Sequence, residues 1–73
     1  MIEVKLFASF RVNREKIMYI EYTENMNIKD VAKKLAINEK EIAISLINGK
    51  HAPLDSILKD KDKVFLFPPV GGG

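Results

Sequence analysis

The 73-residue sequence predicts an α+β fold, in which a mixed sheet of four or five strands carries one main helix on one face. Three observations lead to this prediction. Apolar and polar residues alternate through residues 1–10, and residues 64–67 form a short apolar run of strand-forming residues. Residues 28–35 repeat apolar side chains with helical spacing. The order of two strands, a helix, and two or three further strands does not suit a simple strand–helix–strand repeat.

The first strand is predicted over residues 1–10 from the alternation of its side chains. Its inward face is apolar and comprises Ile2, Val4, Leu6 and Ala8. Phe7 interrupts the outward face, because a solvent-facing position between Lys5 and Ser9 would ordinarily carry a hydrophilic residue.

A polar turn over residues 12–15 leads to a second strand over residues 16–22, which we expect to form a hairpin with the first. The facing of this strand is ambiguous, because apolar residues occupy both of its faces. We predict that Met18, Ile20 and Tyr22 point inward. Ile17 and Tyr19 would then face solvent.

The helix has the clearest signal in the chain. Asn27 is a suitable N-cap, and Asp30 lies in the first turn, near the positive end of the helix dipole. The predicted inward face comprises Ile28, Val31, Ala32 and Leu35, and the opposite face carries Lys29, Asp30, Lys33 and Lys34. A helix of about nine residues is too short to be stable alone, so it must pack against the sheet.

The second half of the chain is predicted as a connection, two strands and a final strand. Residues 36–41 form the connection, and a third strand includes Ile42, Ile44, Leu46 and Ile47. Asn48-Gly49 predicts a tight hairpin turn, and Pro53 limits the next strand to a short or edge position. Asp55 is expected to cap one helical turn through residues 56–58. Residues 59–62 form a polar turn before the last strand.

The C-terminus is predicted to leave the sheet as a flexible tail. Pro68 and Pro69 lack backbone donors and keep the chain extended. Residues 71–73 are all glycine, which is costly to order and adds nothing to a core. We therefore divide the chain into a domain of residues 1–67 and a tail of residues 68–73. Because its glycines have no side chains, the tail could enter a narrow active site of another protein.

Composition restricts the chemistry and the partners. The chain has no cysteine, so disulfides and thiolate metal sites are excluded. Any reaction that needs reactive sulfur would have to obtain it from another molecule. Lys and Arg number 12 against 10 Asp and Glu, and the two signs are interspersed, so we expect no nucleic-acid partner. No apolar run has the length of a membrane span, and we expect a cytoplasmic protein. His51 is the one histidine. Because no second ligand or nucleophile lies nearby, we expect it to be a surface residue rather than part of a metal or catalytic site.

The two ends of the chain resemble a known family. The ending Leu66-Phe67-Pro68-Pro69-Val70-Gly71-Gly72-Gly73, together with the opening Met1-Ile2-Glu3-Val4-Lys5-Leu6-Phe7-Ala8 and Arg11, resembles the MoaD branch of the MoaD/ThiS sulfur carriers. Gly71 departs from the pattern, because the family usually has a different residue before its final glycine pair. The resemblance implies a ubiquitin-like β-grasp fold, with the first and last strands central, adjacent and parallel.

That strand pairing sorts the two faces of the sheet. Val64 and Leu66 would join the inward residues of the first strand beneath the helix. Phe7, Phe65 and Phe67 would then form one aromatic patch on the open face, rimmed by Lys5 and Arg11. A contiguous aromatic patch is typical of a partner surface. The alternative is that a second copy of the chain covers this face.

The resemblance also implies a reaction at the C-terminus. A carboxylate is a poor electrophile, so the terminus must first be adenylated with ATP by a separate E1-like adenylyltransferase (MoeB-like). Sulfur then replaces AMP to leave a thiocarboxylate, which donates sulfur within molybdopterin synthase, whose large catalytic subunit is MoaE-like. The reacting residues would be Gly73 and Gly72. The residues contacting the partner would be Phe7, Arg11, Phe65, Phe67, Pro68, Pro69, Val70 and Gly71.

On this interpretation the chain is not a catalyst by itself and binds no permanent cofactor and no metal. Three other functions stay open. One is a ThiS-like carrier for thiamin or another pathway, and one is a protein modifier joined to lysines through Gly73. The third is a plain binding module with an incidental tail.

Overall fold

The computed structural model describes residues 1–69, which form one five-stranded sheet with a helix packed on one face. The strands are β1 (Ile2–Leu6), β2 (Ile17–Ile20), β3 (Ile44–Ile47), β4 (Lys50–His51) and β5 (Lys63–Phe67). The helix is α1 (Ile28–Lys34), and two short 3-10 helices span Ala8–Arg11 and Glu39–Glu41. Within this part of the chain, no helix combines the length and hydrophobicity needed to span a bilayer.

The strand order across the sheet is β2-β1-β5-β3-β4, so the first and last strands are neighbours at its centre. β1 pairs in parallel with β5, with Val4 opposite Val64 and Leu6 opposite Leu66. All other pairings are antiparallel, and β1 and β2 form the predicted hairpin. This arrangement confirms the predicted mixed sheet and its parallel central pair.

β1 is shorter than its alternating pattern predicts. It ends at Leu6, and Ala8 has a left-handed backbone (φ 53°), which a β ladder does not accommodate. The prediction that Ala8 points inward is therefore wrong, and its side chain is exposed. Phe10 of the following 3-10 helix fills the core instead, with only 5% of its surface exposed.

The facing predicted for β2 is confirmed. Ile20 is buried, and Met18 and Tyr22 pack partly buried against the core. Ile17 and Tyr19 are 38% and 62% exposed on the other face.

α1 begins and ends with recognisable capping motifs. Asn27 and Asp30 form a capping box, in which each side chain accepts the other residue's backbone N–H at 2.9 Å. The helix ends after seven residues because Ala36 turns left-handed (φ 57°). Its N–H bonds to Lys33 O and the N–H of buried Ile37 bonds to Ala32 O, which is a Schellman motif with alanine where glycine is usual.

The second half of the chain follows its local signals with two exceptions. Asn48 (φ 53°) and Gly49 (φ 86°) form the predicted tight turn, and β4 is a two-residue edge strand before Pro53. Ile42 lies outside β3, which starts at Ile44. The helical turn expected over residues 56–58 is wrong, because the chain turns over residues 53–56 and Ile57 then bridges to Asn27.

The core lies between α1 and the sheet. As predicted, the inward residues of β1 and β5 are fully buried there, namely Ile2, Val4, Leu6, Val64 and Leu66. One polar residue, Ser45, is buried on this side, and its hydroxyl donates to Ala52 O at 2.6 Å. The opposite face of the sheet is left free of any helix among the described residues, and it carries the candidate site.

Candidate partner-binding face and C-terminal segment

Phe7, Phe65 and Phe67 meet on the face of the sheet opposite α1, and we call these three residues the aromatic face. The rings of Phe7 and Phe67 are stacked with centroids 4.2 Å apart and planes 8° apart. Phe7 and Phe65 are 6.4 Å apart and inclined by 20°. The parallel register explains this meeting, because Leu6 opposite Leu66 places Phe7, which directly follows β1, beside Phe67 of β5 on the open face.

Two residues of β3 lie beside the aromatic face. The sequence pattern placed both in a strand but did not predict that they face this side of the sheet. Ile44 lies opposite Phe67 and Leu46 opposite Phe65. Ile44 is 37% exposed and Leu46 is partly exposed, whereas Ser45 between them is buried. The polar residue therefore points to the core and the apolar residues point outward, which reverses the usual pattern. Only that reversal within Ile44–Ile47 hints at the arrangement in the sequence.

Positive charge lies beside the aromatic rings. The Lys5 ammonium is 5.4 Å from the centroid of Phe65 and 4.0 Å from a carboxylate oxygen of Glu3. Lys5 thus rims the aromatic face as predicted. Arg11 is exposed at the end of the 3-10 helix that follows Phe7. Such partly exposed charges add little stability, but they favour association with a partner of complementary charge.

The connection after Phe7 is compact and anchored by one aromatic ring. Phe7 itself is extended (φ −128°, ψ 153°), and its carbonyl accepts the N–H of Phe10 at 3.2 Å. Phe10 is buried in the core, whereas Arg11 next to it is exposed. One short segment therefore presents Phe7 and Arg11 at the surface while Phe10 holds it to the core.

The C-terminal segment leaves the sheet beside the aromatic face. The carbonyl of Phe67 accepts the N–H of Ala43 at 2.9 Å, which closes the end of β5. Pro68 is buried and Pro69 is exposed. Pro68 thus packs against its own domain, and Pro69 is the first exposed residue of the segment. Val70, Gly71, Gly72 and Gly73 lie outside the described residues, and the domain boundary after residue 67 stays a prediction.

The histidine and the acidic residues of the described chain form no metal site. Among residues 1–69, no group of three or more His, Cys, Asp or Glu side chains is placed to hold a metal ion. His51 is exposed on the edge strand β4. Asp62 accepts the backbone N–H of Lys59 and the side-chain amide of Asn48, so it stabilises the turn before β5.

Asp60 is paired with the chain terminus. The Met1 ammonium donates to a carboxylate oxygen of Asp60 at 2.7 Å. This hydrogen bond is the main reason that the pKa of Asp60 lies below its ordinary value, with smaller contributions from the charge of the ammonium and from Lys61. The carboxylate is exposed, so the pair is a surface contact between the N-terminus and the turn before β5.

The geometry defines the class of protein. A mixed sheet with parallel central strands, one helix across one face, and a C-terminal segment leaving the central strand is the ubiquitin-like β-grasp arrangement. The chain also belongs to the ThiS family, whose model matches residues 4–73. It is therefore a member of the MoaD/ThiS group of ubiquitin-like sulfur carriers.

Solved structures agree with this assignment. Small archaeal modifier protein 1 from Haloferax volcanii superposes with a TM-score of 0.78 at 24% identity, covering 99% of this chain and 98% of that chain. A putative molybdopterin converting factor subunit 1 from Pyrococcus furiosus gives a TM-score of 0.72 at 29% identity, with coverage of 94% and 97%. A complex of subunits 1 and 2 of molybdopterin-converting factor from Helicobacter pylori gives 0.63 at 26% identity, with coverage of 99% and 97%.

Proposed function

We propose that this protein is the sulfur-carrying small subunit of a molybdopterin synthase. The observation that carries the proposal is the stacked aromatic face beside the point where the glycine-ended segment leaves β5. Two of the similar structures are described as subunit 1 of a molybdopterin converting factor, and one of these is in complex with subunit 2. Both facts favour a carrier that docks through its sheet and delivers its terminus to a larger subunit.

The reaction begins at the carboxylate of Gly73. A carboxylate oxygen attacks the α-phosphorus of ATP in an E1-like adenylyltransferase (MoeB-like), and pyrophosphate leaves. Hydrosulfide from a sulfur donor then attacks the carbonyl carbon of the acyl-adenylate, the carbon–oxygen bond to AMP breaks, and loss of the sulfur-bound proton leaves Gly73 as a thiocarboxylate. The chain has no cysteine, so the sulfur and the activating groups come from other proteins. Gly72 and Gly71 have no side chains and so allow a narrow active site to close around the terminus.

The aromatic face would bind the MoaE-like large subunit. Its three rings are partly exposed, and Phe7 contacts both of the others. Clustered aromatic residues are typical energetic centres of protein interfaces. Arg11 and Lys5 would form the charged rim. Pro69, Val70 and Gly71 would then contact the pocket that receives the terminus, while Pro68, buried on its own domain, fixes where the segment departs.

The first experiment tests the chemistry at the terminus. The purified protein is incubated with an E1-like adenylyltransferase, ATP and a sulfur donor, and its intact mass is measured. The expected result is a gain equal to the exchange of one oxygen for one sulfur. The matched control lacks Gly73 and should show no gain. A full-length chain that keeps its original mass, under conditions where a known carrier is converted, would contradict the proposal.

The second experiment tests the pathway. Tagged protein is isolated from its host, and the proteins that copurify are identified. A pterin-binding large subunit is expected, and its recovery should fall for Phe7→Ala. Recovery of a thiamin-pathway synthase in its place would assign the chain to a ThiS-like carrier and would contradict the molybdopterin assignment.

A second candidate function is protein modification. It is favoured by the fold shared with small archaeal modifier protein 1 and by a glycine terminus that can acylate a lysine as well as sulfur once it is adenylated. Conjugation predicts a ladder of larger species on immunoblots of tagged protein, lost when Gly73 is deleted. A single band at the size of the free protein would favour the carrier alone.

A further inference from the structure

Arg14 makes an unusual set of bonds at the turn between β1 and β2. Its guanidinium donates to three backbone carbonyls that belong to two distant parts of the chain. Nη1 donates to Phe10 O at 3.3 Å, Nε to Leu35 O at 3.2 Å, and Nη2 to Ala36 O at 3.1 Å. The side chain therefore links the 3-10 segment after Phe7 to the C-terminal end of α1.

The acceptors at the helix end have few other partners. Carbonyls in the last turn of a helix lack intrahelical donors and lie at the negative end of the helix dipole. Here the helix ends through left-handed Ala36, where alanine is less favourable than glycine. A cation with a planar fork of donors satisfies both carbonyls at once, which a single ammonium does less well.

The segment that Arg14 holds has weak bonds of its own. Three turns follow one another, from Phe10 N–H to Phe7 O, from Val12 N–H to Ser9 O, and from Arg14 N–H to Arg11 O, each at 3.2 Å. Two of its residues, Ala8 (φ 53°) and Asn13 (φ 60°), are left-handed and not glycine. Such a segment keeps one conformation only when its surroundings impose it. The burial of Phe10 and the bonds of Arg14 are two of the contacts that do so.

We propose that Arg14 is a positioning residue for partner binding, because it fixes the segment that presents Phe7 and Arg11. It acts from the helix side of the molecule and need not touch the partner. The proposal rests on the proposed function in that the bound partner is the large subunit of molybdopterin synthase. Without the Arg14 guanidinium, α1 and the sheet would stay in place, but residues 8–12 would sample several conformations. Partner binding would then have to order this segment, which lowers the affinity.

The test compares Arg14→Ala and Arg14→Lys with two controls. Asn27→Ala removes the cap at the other end of α1 and is expected to destabilise the fold without touching residues 8–12. It therefore separates a loss of stability from a loss of order in that segment. Lys34→Ala removes a neighbouring exposed cation of the last helical turn. Backbone order of residues 8–12 is measured by ¹⁵N relaxation on the free protein. Affinity for the large subunit is measured by calorimetry, at a temperature where urea unfolding shows every variant to be folded.

For Arg14→Ala we expect order parameters of residues 8–12 to fall from about 0.85 to below about 0.6. The affinity for the large subunit should weaken roughly tenfold, and Arg14→Lys should recover part of both losses. Asn27→Ala and Lys34→Ala should bind like the wild type.

Unchanged order parameters in Arg14→Ala would overturn the proposal, and so would an equal loss of affinity in Asn27→Ala. If the wild type itself does not bind the large subunit, the proposed function is wrong. The relaxation data on the free protein would still decide whether Arg14 fixes residues 8–12.

Discussion

Replacement of Phe7 by alanine removes the ring that contacts both other members of the aromatic face. Phe7 stacks on Phe67 at 4.2 Å and lies 6.4 Å from Phe65. An aromatic pair contributes about 0.5–1.5 kcal/mol beyond simple burial, so we expect Phe7→Ala to lower the free energy of unfolding by about 1–2 kcal/mol. A 73-residue domain has roughly 4–11 kcal/mol of stability, so the variant should still fold.

The expected loss in binding is larger than the loss in stability. If Phe7 is an energetic centre of the interface, alanine should reduce the free energy of binding to the large subunit by at least about 2 kcal/mol, which is roughly thirtyfold in the dissociation constant. Calorimetric titration of the large subunit measures this change, and urea unfolding of the free protein measures the stability term separately. A double-mutant cycle with Phe67→Ala should show coupling, because the two rings are in contact.

Tyr19→Ala is the matched control. Tyr19 is also an exposed aromatic residue on this side of the sheet, but it lies on the edge strand β2 opposite Glu3, away from the end of β5. It should bind the partner nearly as well as the wild type. The reasoning is refuted if folded Phe7→Ala binds within about threefold of the wild type, which is less than a hot spot requires. It is refuted equally if Tyr19→Ala loses as much affinity as Phe7→Ala.

Three further substitutions test the scaffold. Asn27→Ala should cost about 1 kcal/mol in urea unfolding because the capping box is lost, whereas an unchanged midpoint would mean that the cap is not formed in solution. Ala36→Gly should raise the free energy of unfolding by roughly 1 kcal/mol because glycine accepts the left-handed backbone, and a loss of stability would contradict this view of the helix end. For Asp60, whose pKa is lowered by the Met1 ammonium, stabilisation is present above the ordinary carboxyl pKa and is lost as the pH falls through the lowered value. Melting temperatures of the wild type and Asp60→Asn should therefore differ at neutral pH and converge in acid, and a constant difference would rule out the pair.

Features with short-range causes were predicted from the sequence. Asn27 as the N-cap, Asp30 in the first helical turn and the tight turn at Asn48-Gly49 are all as the pattern indicated. Each depends on residues within a few positions of one another, through capping bonds or allowed backbone angles. Local physical chemistry is sufficient in such cases.

The errors arose where side-chain pattern and backbone diverge. Alternation continues through Ala8, so the first strand was predicted too long, but the left-handed backbone of Ala8 ends it at Leu6. Asp55 suggested a helical turn, but the pairing of Ile57 with Asn27 holds that segment extended. A pattern of apolar residues indicates which face of a strand is buried. It does not show at which residue the strand stops pairing with the adjacent strand.

The site was predicted in part, and the part that was missed depends on long-range contacts. The sequence predicts the meeting of Phe7, Phe65 and Phe67 only through the parallel pairing that the family resemblance implies. Ile44 and Leu46 were missed because their side of the sheet follows from the pairing of β3 with β5. Arg14 was missed because two of its acceptors lie 21 and 22 positions away.

The order of elements, the start of the helix and the hairpin turn follow from the amino-acid sequence, because they depend on single residues or near neighbours. The pairings of β5 with β1 and with β3 follow only from the tertiary fold. Val4 and Val64 are paired across 60 positions of chain, and that pairing places Phe7 against Phe67. Local preferences cannot specify such a contact, since the pairing is selected when the apolar face of α1 and one face of the sheet are buried together in a single core.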